Sequence, residues 1–131
     1  MTFAVTVILF FVQVEKAALY PTKLLQIATT AIVQEEKDVM RMQRKLLGPY
    51  HDIRAITTSN ISHAHAIFMQ NVRARYSNWT ETDWENAQAV MYRLTRKSES
   101  LYRIMSVSDR AKIKAVQNEF RELQEKTNNK T

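Results

Sequence analysis

Two histidines, one carboxylate on an apolar seam and two basic clusters are the residues whose types and spacing could do chemistry. His63 and His65 form an H-x-H pair. On a strand both imidazoles would lie on one side. On a helix two residues turn about 200°, so the rings point apart and cannot chelate one ion. The pattern around them is helical, and a zinc site needs at least three convergent ligands, so no metal is expected. One histidine should border the core and the other should be solvated. His51 stands at an expected helix start and suggests nothing further. Glu35 sits on the apolar seam of the first helix; buried in a cleft, it would hold a raised pKa and could act as an acid. The plainer reading ends the buried stripe there or pairs Glu35 with a basic neighbour. Glu81, Asp83 and Glu85 are better explained by helix capping. The chain lacks G-x-S-x-G, H-E-x-x-H and a glycine-rich phosphate loop, and it has only one Gly to build such a loop. No catalytic residue, cofactor or small-molecule substrate is expected.

The basic residues need a separate weighing, because the formal net charge is +6. The densest cluster is Arg41, Arg44 and Lys45, with Lys37 one turn back. A second is Arg73 and Arg75, with Arg54 expected on the same helix. These are candidate contacts with a partner or an anionic surface. Residues 35–78 carry seven basic and four acidic side chains, while residues 79–105 carry four of each, so the excess is spread out. Helix C-termini also favour Lys and Arg through the macrodipole. That distribution argues against nucleic acid as the partner.

The elements that must position these residues are helices. With one Gly, two Pro and no Cys in 131 residues, turns for an all-β fold are missing and a disulfide scaffold is excluded. Leu25, Ile32, Val39 and Leu46 recur every seven residues, with Ala28 and Met42 between them, and predict a helix over about residues 22–47. Gly48-Pro49 stops it, Gly48 supplying the left-handed C-terminal position. Ile53, Ile56, Ile61, Ala64, Ile67, Phe68, Val72 and Tyr76 predict a second helix over about residues 51–76. Thr57, Thr58, Ser59 and Asn60 put a kink or weak turn in it. Trp79-Thr80-Glu81-Thr82-Asp83-Trp84 is the clearest local signal. Thr80 is the N-cap and Asp83 lies three residues on, while Trp79 and Trp84 occupy the two positions of a hydrophobic staple. The third helix then runs from Glu81 to near Met105. Ser106 can cap the N–H of Asp109 and start a fourth, with Ile113, Val116, Phe120 and Leu123 as its stripe.

Residues 3–14 read F-A-V-T-V-I-L-F-F-V-Q-V, shorter than the roughly 18–20 residues that mark a membrane span. An uncleaved anchor, a signal peptide and a buried helix or strand all fit this run. The expected architecture is therefore all-α: an N-terminal apolar helix followed by an antiparallel four-helix up-and-down bundle. Residues 1–20 form the anchor or signal-like segment, 22–126 the bundle and 127–131 a frayed polar tail.

From Tyr76 to Leu123 the order is an aromatic pair, T-x-x-D-W (Thr80, Asp83, Trp84), a helix with Leu94 and Tyr102, a small-residue cap, then K-I-x-x-V-Q with Phe120. This resembles small helical exported proteins of Bacteroidetes. The resemblance implies an envelope location and brings no active site. The chain lacks the lipobox Cys and basic n-region of that pattern.

The expected function is non-enzymatic: a membrane-associated helical interaction or structural protein that acts by helix–helix docking. It would bind a protein partner or itself, with residues 3–14 directed to the membrane and a membrane or cell-envelope location. Two other readings stand beside it. An exported envelope protein with a stress- or chaperone-like binding role would show cleavage near residues 14–20. A basic nucleic-acid-binding bundle would lose binding steeply with salt.

Overall fold

The computed structural model describes residues 21–129. The N-terminal segment over residues 1–20 lies outside the described residues, as do the last two residues of the polar tail. Within the described residues the chain is all-helical and no strand occurs. Its helices are α1 (Pro21–Leu47), α2 (Ile61–Arg75), α3 (Glu81–Leu101) and α4 (Val107–Asn128). By its contacts the chain divides into two compact units, Met1–Lys37 and Asp38–Thr131, and α1 runs through the boundary. No described helix is long and apolar enough to cross a membrane.

α1 ends where the chain can no longer continue it. Gly48 takes φ +53°, and Pro49 follows in a short 3-10 turn, Gly48–Tyr50. The terminal carbonyls of a helix lack intrahelical donors. The Asn71 side chain from α2 supplies one, its Nδ2 donating to the Leu46 carbonyl at 2.9 Å. The expected seam divides along its length. Met42 and Leu46 are buried and Val39 is half-buried, but Ile32 is exposed.

The second helix is shorter than its apolar pattern predicts. Residues 48–60 form a connection with a second 3-10 turn, Ile53–Ala55, and α2 starts only at Ile61. The cause is local side-chain competition for backbone groups. Asn60 Oδ1 accepts from the Thr57 N–H at 2.8 Å, and the Thr57 and Ser59 hydroxyls bond each other at 2.8 Å. Ile56 is still buried, carried inward by extended backbone rather than by a helical face.

α3 starts on a full capping box. Thr80 Oγ1 accepts from the Asp83 N–H at 3.2 Å, and Asp83 Oδ2 accepts from the Thr80 N–H at 2.9 Å. Trp79 and Trp84 meet edge to face with centroids 4.9 Å apart. α4 starts on Ser106, whose Oγ accepts from the Asp109 N–H at 3.1 Å. α3 gives way at Leu101 to a 3-10 turn, Tyr102–Ile104, a few residues before the expected end near Met105.

The core of residues 38–129 takes Met42, Leu46 and Leu47 from α1, and Ile61, Ala64, Phe68, Met69 and Val72 from α2. α3 adds Trp84, Ala87, Val90, Met91 and Leu94. α4 contributes only Ile113 and Phe120 as fully buried apolar residues. Phe120 meets Phe68 at 5.3 Å and Trp84 at 5.8 Å, so one ring joins three helices.

Gly48→Ala tests the stop signal. A Cβ there would meet no heavy atom within 4 Å, so the whole penalty is the left-handed backbone. The expected loss is about 1 kcal/mol. Thermal unfolding should show it as a midpoint lower by roughly 4–8 °C, and an unchanged midpoint would contradict it.

Candidate functional site

The two histidines separate as a helix requires. His63 is exposed and its Nδ1 hydrogen-bonds the Tyr50 hydroxyl at 2.8 Å, with the two rings edge to face. His65 is fully buried. Its Nδ1 lies 2.9 Å from the Ile61 carbonyl, which can only accept, so Nδ1 carries the proton. Nε2 is then a bare acceptor, buried with no hydrogen-bond partner. Burial pushes the His65 pKa down, opposed in part by the bond to Ile61. Glu35 is exposed on α1 and stands in no apolar cleft.

The basic residues do not form the two clusters read from the sequence. Arg41 and Lys45 line a small depression with Asp38, Thr80 and Asp83, and Arg41 pairs with Asp38 at 3.3 Å. Lys37 is exposed one turn earlier. Arg44 turns to a different place, a cleft described below. Arg54 lies on the 3-10 turn and so is not on the helix that carries Arg73 and Arg75. Arg75 is exposed. Arg73 makes a two-pronged bond to Glu119 of α4, with both N···O distances 2.6 Å. That bond holds the Glu119 carboxyl below its ordinary range and raises the Arg73 guanidinium. Arg73 is therefore engaged within the fold. Both partners are about half exposed, so the pair adds little stability.

Two surfaces among the described residues bear on function. One is the first half of α1. Leu24 is 49 % exposed, Ile27 66 %, Ile32 56 % and Val33 46 %. From Leu24 to Gln34 no charged residue occurs. Leu24, Ile27, Ala28 and Ala31 follow the i, i+3, i+4, i+7 spacing that places them on one face.

The second surface is a cleft of about 580 Å³ lined by Met40, Gln43, Arg44, the connector residues His51 to Arg54, and Arg93 of α3. Gln43 is only 5 % exposed. Its Nε2 donates to the His51 carbonyl at 2.6 Å, and its Oε1 accepts from Arg93 Nη1 at 3.1 Å. One buried amide thus fixes the connector on one side and a guanidinium on the other. Reading the sequence alone missed Gln43 and Arg93. A glutamine inside an apolar stripe, between Met42 and Leu46, is the one signal that pointed there.

The His65 environment has a consequence for stability. The unfolded histidine titrates near pH 6.5 and the folded one lower, so between those values the unfolded chain binds more protons. This contribution is complete above the unfolded pKa and is lost as the pH falls toward the folded one. Urea unfolding at about pH 7.5 and about pH 5.5 should show a larger acid loss for the parent chain than for His65→Leu. Equal losses would refute this account of His65.

Comparison with protein-family models, with curated proteins and with solved structures finds no match to this chain.

Proposed function

We propose that this chain is a non-enzymatic, membrane-associated helical protein that acts by helix–helix docking. The observation that carries the reading is the uncharged stretch of α1 over residues 24–34, with Leu24 and Ile27 on one face and both exposed. Contiguous exposed apolar surface marks an interaction site more often than isolated apolar residues do. A helix face with this spacing suits a second helix.

Residues 3–14 supply the membrane-directed part of the proposal by composition alone. For α1 to α4 we propose up-and-down antiparallel order. Residues 76–80 and 102–106 are connections of a length that favours antiparallel neighbours.

Leu24→Gln with Ile27→Gln tests the docking. Both replacements are good helix formers and leave the core alone. The two side chains lose roughly 2 kcal/mol of docking energy at partial burial, which weakens association by about tenfold or more. Sedimentation of the intact protein in mild detergent reads this. The parent should run as a complex larger than one chain and the double variant as a single chain, with equal thermal midpoints. A parent that runs as a single chain, or a variant that assembles like the parent, would refute the proposal.

A further inference from the structure

We infer that the cleft between the end of α1, the 51–54 connector and α3 binds a phosphate group. Three guanidinium groups line it, from Arg44, Arg54 and Arg93, against the one carboxylate of Asp52. The guanidinium fork matches phosphate oxygens two at a time, and a phosphate monoester brings a charge of about −1.5 to −2 at neutral pH.

The arginines converge only through the fold. Arg44 lies on α1, Arg54 on the 3-10 turn and Arg93 in α3. The helix macrodipole accounts for Arg44 in the last turn of α1. It does not account for Arg54, which is outside any α-helix, or for Arg93, which is well inside α3.

The walls are built rather than accidental. Gln43 binds the His51 carbonyl and orients Arg93, and Arg93 Nη1 also rests 3.4 Å from Met40 Sδ. From α3, Lys97 Nζ donates to the Arg54 carbonyl at 3.2 Å and pins the turn. Backbone and amide bonds thus place the connector, leaving the Arg54 side chain 95 % exposed over the opening. Its contact with Asp52 is 3.5 Å long and solvent-exposed, a weak pair that a phosphate would outcompete. Arg44 has no hydrogen-bond or ion-pair partner among the described residues.

The phosphate could arrive free, on a small molecule or on a lipid headgroup, and one experiment separates these sources. The intact protein is titrated with inorganic phosphate and, in a second arm, with phosphatidylcholine vesicles with and without about 20 mol % phosphatidic acid. Each arm is repeated with Arg44→Gln/Arg54→Gln and, as a charge control, with Arg75→Gln outside the cleft. Saturable binding of inorganic phosphate, weakened about tenfold or more by the cleft variant and little by the control, supports the site and a soluble ligand. Binding confined to the phosphatidic acid vesicles, with the same variant pattern, supports the site and a headgroup. No saturable binding in either arm overturns the inference, and so does equal weakening by the cleft variant and the control. Arg44, Arg54 and Arg75 are exposed, so each variant should unfold at the parent temperature.

Discussion

Trp84 stands where several segments of the bundle meet. Its indole touches Trp79 at 4.9 Å, Phe120 at 5.8 Å and Tyr76 at 6.3 Å, and Phe120 passes the contact on to Phe68. Aromatic pairs of this geometry add to the burial of their large apolar area. The dependence is sharpest for α4, which buries two large residues, packs Val116 and Leu123 partly against the core, and adds polar ties. Those ties are Arg73 to Glu119, Gln117 to Thr95 and Gln124 to Gln88. Each is solvent-accessible in part, so the aromatic cluster carries the larger share of α4's attachment.

The start of α3 belongs to the same cluster. Trp79 precedes the Thr80 cap and Trp84 follows it, so the bonds that begin the helix also set its entry angle toward the core. This was legible in the sequence because every participant lies within six consecutive residues. The Gly48 stop and the Ser106 cap were legible for the same reason. The segment before α2 was legible only in part: Thr57 to Asn60 announced a turn, but not that the chain ahead of it leaves the helix. Its apolar residues Ile53 and Ile56 fit a helical stripe equally well, and only the bonds among Thr57, Ser59 and Asn60 decide against one. Periodicity reports which side chains go inward. It does not report whether helix or extended backbone takes them there.

The same limit governed the charged residues. Arg41, Arg44 and Lys45 look like one cluster along the chain, yet the folded surface sends Arg44 to a different cleft from the other two. Arg44's companions, Arg54 and Arg93, sit on a turn that was read as helix and on a distant helix. Arg73 looked available until α4 brought Glu119 against it. Contacts between remote segments are set by packing, and a single sequence shows packing only through its apolar pattern.

α1 therefore has two characters along one continuous helix. From Val39 its inward residues join the core. Before Lys37 the described apolar side chains are turned largely to solvent. Amide hydrogen exchange on the intact chain tests this division most directly. Under dissociating conditions, amides of residues 39–47 should share the protection of α2 to α4, and those of residues 24–33 should exchange much faster by local opening. Protection of residues 24–33 should then rise on assembly. Equal protection along the whole of α1 in the dissociated chain, unchanged on assembly, would contradict the account.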